Sequence, residues 1–503
     1  MITFLIALVV LIVGFVLYGT LVEKVFGIDE KAETPAITKN DGVDYVPMSG
    51  WRIFLVQFLN IAGLGPIFGA IMGIFFGPSA FLWIVFGTIF AGGVHDYLSG
   101  MLSLRKGGAS LPEIVGSELG TGIRVFMRVL SLVLLLLLTT TFLSGPATLL
   151  QGLAPLTTMP FQGRSLPIIW VLIIFAYYAL ATVLPVDKLI GRFYPIFGAM
   201  LLFMGVGIAI VMLGWHASEM PELTDGLQNR KTDGLPLFPM MFVSIACGAI
   251  SGFHGTQSPI MSRCLTSERQ GRWIFYGAMV AEGILALIWA AAAGTFFADP
   301  EQGLDGIGGL QAFASHYDRG TNLPALIVDK VSRSWLGTVG GVLAIIGVIA
   351  APITSGDTAL RSARLIVADF LHIDQRPKMK RLMIALPLFC CVFALVFVNF
   401  DIVWRYFSWT NQTLAVFTLW AGTVWLYKNG VESRKSNVGS GYRYGYLIAL
   451  IPALFMTMVS TSYILIAPEG FHLPEAYRWI GYAVAGVVTA GLLGLFARFT
   501  CKK

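Results

Sequence analysis

Apolar residues in this chain come in long unbroken runs rather than along one face of a helix or strand. Thirteen runs of about twenty residues stand out, at 2–22, 52–77, 79–104, 125–152, 166–186, 193–215, 235–262, 273–298, 335–359, 382–400, 404–427, 444–466 and 479–497. About twenty apolar residues in a helix cross a ~30 Å hydrocarbon core, so the pattern predicts about thirteen transmembrane helices. Strands are excluded as the general plan, because lipid offers nothing to satisfy an open sheet edge. The longest polar connections, 23–51, 216–234 and 299–334, are too short for a further domain. Residues 1–503 therefore read as a single all-α polytopic membrane domain, with function seated among the helices.

Two runs carry an interruption at mid-depth. The span 52–77 holds Asn60-Ile-Ala-Gly63-Leu-Gly65-Pro66, and the span 235–262 holds Gly248-Ala-Ile-Ser251-Gly252-Phe-His254-Gly255-Thr256-Gln-Ser258-Pro259. Glycine weakens a helix and proline removes a backbone donor while suiting the first turn of a new helix. Each interruption opens a block of five spans, 52–215 and 235–427, and an odd number per block inverts the second relative to the first. The helix 2–22 stands before the blocks, and the pair 444–497 follows them. Interrupted spans at matching places of two inverted blocks point to a transport site near the midplane. A half-helix starting near Pro66 would aim free N–H groups and a positive dipole end at a carboxylate. Gly65, Gly69, Gly73 and Gly77 also recur every four residues, the spacing of close helix packing.

Charge fixes an expected orientation. Of the 34 Lys and Arg, 26 fall on the cytoplasmic side and eight outside when the N-terminus is external, as the positive-inside rule requires. The C-terminus is then cytoplasmic, in a cytoplasmic-type membrane. No basic residue precedes the first run, so it reads as a retained helix and not a cleaved leader. The net charge of +6 does not imply nucleic acid, because the basic residues sit in short loops. Charged residues make up only 12% of the chain, about half the soluble share. Five cysteines without metal-ligand spacing read as small hydrophobes.

Polar groups inside the spans each need a reason, since an ionised one costs roughly 2.5–3.5 kcal/mol at the bilayer centre. His254 lies in the second interruption, where it either meets substrate or carries a proton, or is a neutral core histidine. Glu282 is either a protonated clasp between helices or a proton relay. His95 and Asp96, about 100° apart on a helix, are not expected to pair with each other; Asp96 is a candidate for gating or coupling. Thr354, Ser355, Asp357, Thr358 and Arg361 form a second cluster, with Asp357 and Arg361 spaced for an ion pair. Asn411 and Gln412 read as helix–helix hydrogen-bonding groups. The expected substrate-binding set is Asn60, Gly63, Gly65, Gly248, Ser251, Gly252, His254 and Thr256, and Gly252→Leu is expected to fill the second break without harming expression.

The stretches IAGLGPIFGAIMG (61–73), GGVHD to SLRKGGASLPE (92–113), FPMMFVSIACGAISGFHG (238–255), YGAMVAEGILALIWAAA (276–292), TSGDTALRSAR (354–364) and TNQTLA (410–415) resemble the carbon starvation protein family. Val56 and Gln57 stand where members often have a histidine pair. The resemblance implies a five-plus-five inverted fold of the leucine-transporter type and uptake of peptides or pyruvate-like carboxylates. It also implies a place for Na⁺ at Thr354 and Ser355, against the first broken helix. No hydrolytic, nucleotide-binding or metal motif accompanies these groups, so no cofactor and no enzyme activity is expected. The reading is an ion-coupled carrier working by alternating access, with H⁺ or Na⁺ as the coupling ion and the bilayer as its surroundings. A passive channel is the alternative.

Overall fold

The computed structural model describes all residues except 43, 163, 184–185, 318–321, 374–376, 437–441 and 502–503; side chains at 182–195, 378 and 432–436 are also not described. Among the described residues nine helices are long and apolar enough to cross a membrane, and a tenth span is the bent pair Gly50–Ile61 and Leu64–Ile74, which meet at 45°. The run at 235–262 is divided into Leu237–Ser244, Ala246–Ala249 and Gly252–Ser262. Phe400–Ser436 carries the run at 404–427, and Ile168–Val183 the run at 166–186. Both interruptions foreseen from glycine and proline are thus real breaks in the helical ladder.

Two spans sit deepest, Ser79–Arg105 and Glu268–Phe296, with most of their length enclosed by other helices. They approach each other through glycine: a Cβ at Gly93 would stand 2.6 Å from the Tyr276 ring, and one at Gly100 would stand 2.4 Å from Phe275. Each contains a π-helical turn, Thr88–Gly92 and Arg272–Tyr276. The Tyr276 hydroxyl ties the two turns together by donating to the Ile89 carbonyl at 2.8 Å. By contrast Ile2–Phe26 and Arg478–Cys501 turn many apolar side chains outward, including Ile6, Val9, Leu17, Val487 and Leu495. Those faces suit hydrocarbon.

The polar connection 299–334 is more structured than its composition suggests. It holds the helix Gly306–Ser315, whose first turn is capped by Asp305 accepting the Gly308 N–H at 2.7 Å. The expected span 335–359 is part of one long helix, Leu323–Leu371, bent at Gly337, where φ is +68°. A positive φ needs glycine, which is why the chain can turn there and resume. A short hairpin, Met159–Phe161 against Arg164–Leu166, is the sheet among the described residues.

Candidate functional site

The two breaks pack directly on one another. A Cβ at Gly65 would meet the Cys247 Cβ at 2.2 Å, one at Gly69 the Ser244 carbonyl at 2.8 Å, and one at Gly73 the Ile245 side chain at 2.2 Å. The four-residue glycine spacing therefore serves close approach, and what it approaches is the unwound part of the other span. Gly248 faces Ala286 in the same way, at 2.7 Å. Gly63, which begins the second half of the first span, lies against Phe142. As the N-cap, Gly63 offers no side chain to the first N–H groups of the half-helix Leu64–Ile74.

Backbone groups freed by the breaks are met by side chains from two other helices. Asn411 Oδ1 accepts from the Phe253 N–H at 2.7 Å and from Ser251 Oγ at 3.1 Å. Gln412 Nε2 donates to the Ile250 carbonyl at 3.3 Å. These amides, read from sequence as helix–helix contacts, hold the second break open without stranding its polar groups. At the first break Ser355 Oγ lies 2.8 Å from the Asn60 carbonyl, 3.2 Å from that of Leu59 and 2.9 Å from that of Ala351. One hydroxyl proton faces three acceptors, and a cluster of hard oxygens results. Thr354 and Thr358 instead bond within their own helix, to Ala351 and to Ser355. Ser355 alone of the expected Na⁺ pair reaches the break.

Beside the second break lies a fully buried cluster of two histidines and two carboxyl groups. His254 Nδ1 is 2.9 Å from Asp96 Oδ2, and His254 Nε2 is 3.2 Å from Glu282 Oε2, a contact at ion-pair distance whose angle falls short of a hydrogen bond. His95 Nδ1 is 2.8 Å from Asp96 Oδ1. All four side chains have 0% exposure. Sequence spacing had separated His95 from Asp96; the structure pairs them, because both side chains are fully buried and each needs a partner inside the bundle. His254, expected among the substrate-binding residues, and the two carboxylates are thus brought together from three different spans. Thr256 turns away to bond the Phe253 carbonyl at 2.7 Å.

Two further expectations are corrected. Among the described residues Asp357 and Arg361 form no ion pair: Arg361 donates to the Ala181 carbonyl at 3.5 Å, and Asp357 Oδ1 has no hydrogen-bond partner there. The spacing puts both on one helix face, but their charged ends stay beyond ion-pair distance because the Arg361 guanidinium is drawn to Ala181 of another helix. Gly252 is not space to be filled, since a Cβ there would meet the Asn411 carbonyl at 2.3 Å and Leu414 at 2.5 Å. Leucine would disrupt the helix contact itself, so normal expression of that variant is not to be expected.

Sequence reasoning passed over several participants. Gln57 Nε2 donates to Ser258 Oγ at 3.1 Å, and Gln257 Nε2 to Ser362 Oγ at 3.2 Å. Cys247, read as inert, touches Gly65 and lies 3.5 Å from Asn411 Nδ2. An amide inside an apolar run is itself a signal, and Gln57 and Gln257 carry it. Above the breaks, on the side that the charge distribution assigns to the exterior, a cavity of about 210 Å³ is lined by Met72, Met240, Ser244, Trp404, Arg405 and Glu469 among others. On the opposite side Glu118 is clasped by Lys106 and Lys428 at 2.7 and 2.8 Å. Burial alone would raise that carboxyl, yet the two ammonium groups hold it below its ordinary range.

Two broken antiparallel spans, braced by neighbouring helices, define a polytopic membrane protein of the leucine-transporter fold. Solved structures agree: an Eremococcus coleocola manganese transporter superposes with a TM-score of 0.56 at 13% identity over 92% of this chain and 98% of its own. MhsT in complex with L-phenylalanine gives 0.58 at 15% identity over 82% and 99%. The profile of the carbon starvation protein CstA family matches residues 1–161 and 156–303, and the chain belongs to that family. An uncharacterized membrane protein of Haemophilus influenzae is 45% identical over 61% of this chain and 94% of its own length. The peptide transporter CstA of Campylobacter jejuni is 30% identical over 56% and 48%. The pyruvate/proton symporter BtsT of Escherichia coli is 28% identical over 61% and 51%. The match thus spans about half the length of the relatives named as transporters.

Proposed function

We propose that the chain is a secondary carrier for small carboxylate-bearing solutes, peptides or pyruvate-like acids, working by alternating access and driven by an ion gradient. The observation that carries this reading is the contact between the two breaks, where the start of Leu64–Ile74, whose N-cap glycine offers it no side chain, lies buried beside the unwound segment 245–251. Free N–H groups at a helix start attract an anion, and Asn60, Gly63 and Gly65 surround that start. Family relatives named as peptide transporters and as a pyruvate/proton symporter support the substrate class. Two places suit a coupling ion. One is the oxygen cluster at Ser355, for Na⁺; the other is the His254, Asp96 and Glu282 cluster, for H⁺.

Uptake of radiolabelled pyruvate and of dialanine into proteoliposomes, with imposed proton or sodium gradients, tests the proposal. Saturable uptake accelerated by one gradient is expected. Flux that neither saturates nor responds to either gradient would favour a passive channel.

A further inference from the structure

The cytoplasmic half of the second broken span, Gly252–Ser262, is fastened at several points of unequal chemistry. Asn411 accepts the Phe253 N–H at its start. Gln57 holds Ser258, Gln257 holds Ser362, and Ser262 Oγ donates to Ser103 Oγ at 2.8 Å. All of these are neutral hydrogen bonds, indifferent to pH in the physiological range. His254 is different. It stands between Asp96 of the span 79–105 and Glu282 of the span 268–296. These are the two deepest helices of the molecule, locked to each other by Tyr276 and Ile89.

The groups that face His254 can be taken helix by helix. The span 79–105 brings Asp96 and, through it, His95, and the span 268–296 brings Glu282; the nearby Cys247 thiol of the segment 246–249 is engaged by Ser251 and Asn411. The helices 50–61, 323–371 and 400–436 hold this half-helix through Gln57, Ser362 and Asn411, which do not titrate. Asp357 and Arg361 lie about 200° and 240° around their helix from Ser355, at ~100° per residue. They are therefore turned away from the break that Ser355 touches.

We infer that His254 binds the coupling proton, and that this proton is the latch keeping Gly252–Ser262 docked; the inference rests on the carrier reading. An imidazolium has two N–H donors and can serve both carboxylates at once. A neutral imidazole has one donor and one lone pair, so while both carboxylates stay ionised one of them must face a lone pair in a fully buried site. Such an arrangement is costly when nothing else compensates a buried charge. When a fluctuation of the half-helix admits cytoplasmic water, transfer of the proton from His254 nitrogen to that water breaks one N–H bond and makes one O–H bond. It leaves the half-helix held by neutral hydrogen bonds only. The latch is thus shut when His254 is charged and free when it is not, and opening on the cytoplasmic side accompanies proton release there.

Hydrogen–deuterium exchange on the purified full-length protein in nanodiscs reads the latch without any solute. Protection of the peptide covering 252–262 is compared with that of 121–153 at each pH, which cancels the intrinsic pH dependence of exchange. Relative protection is expected to fall about tenfold or more between acid and alkaline pH, one decade being the weight of one pKa unit. His254→Gln should show the low value throughout, and Asp96→Asn with Glu282→Gln should flatten the dependence. If His254→Gln does not fold, the wild-type titration and the double carboxylate variant still decide. A flat wild-type profile, or an unchanged profile in either variant, overturns the latch. Failure of the carrier reading looks different, because the exchange profile would titrate while no solute entered proteoliposomes.

Discussion

At the scale of single residues, the closest contact between the breaks is Gly65 against Cys247. Adding a methyl group at 65 places two Cβ atoms 2.2 Å apart, and overpacking of this kind costs about 1–3 kcal/mol. Gly65→Ala is expected to lower thermal stability in detergent by that amount, and Cys247→Gly in the same chain should recover at least part of it. If the double variant melts no higher than Gly65→Ala alone, the two residues are not partners. Glycine at 65 was legible as a small-residue position, but its partner was not, because a lone cysteine in an apolar run looks like any small hydrophobe. The same limit applies to Asp357 and Arg361. An i,i+4 spacing states what side chains can reach and says nothing of where the neighbouring helices steer them. Asn411 and Gln412 were readable as hydrogen-bonding residues. Their actual task, meeting the Phe253 N–H and the Ile250 carbonyl, required knowing that this helix crosses the second break.

At the scale of elements, ion pairs outside the hydrocarbon tie helix ends together. Glu118, at the end of Leu111–Leu119, holds Lys106 after one span and Lys428 of another. Its carboxyl is held below the ordinary value near ~4.3, so the paired form contributes stability above that pH and loses it as pH falls through the lowered value. Solvent reaches this cluster, which limits the contribution to about 0.5–1 kcal/mol. Glu118→Gln should therefore melt slightly lower than wild type at pH 7, with the gap closing as the medium is acidified through the lowered pKa of Glu118. A gap that persists in acid would show that the carboxylate charge is not what matters. The long helices and both breaks were foreseeable, since twenty apolar residues and a Gly/Pro interruption are local signals. The bend at Gly337 and the helix Gly306–Ser315 were not, because each depends on how a polar connection folds back over the bundle.

At the scale of the whole molecule, the order of spans and the basic loops together predict which face is cytoplasmic. Keeping Cys501 as the single cysteine, an impermeant maleimide should label it in inverted vesicles and not in intact cells. Labelling from outside intact cells would invert the assignment and place the 210 Å³ cavity on the cytoplasmic face. The inverted five-plus-five plan was legible because an odd number of spans per block forces inversion. The meeting of Asp96, His254 and Glu282 was beyond the sequence, since it arises from three spans whose mutual rotation no single-span periodicity records.

That rotation depends on the two π-helical turns at 88–92 and 272–276, each of which lies upstream of the carboxylate its span delivers. Such a turn lodges one surplus residue in an otherwise regular coil. Removing a single amino acid from either turn would leave a span still long enough for the bilayer. It would also swing everything downstream by roughly 100°, carrying Asp96 or Glu282 off the imidazole. The register of the charge cluster is thus stored in two local irregularities, at a distance from the charges themselves.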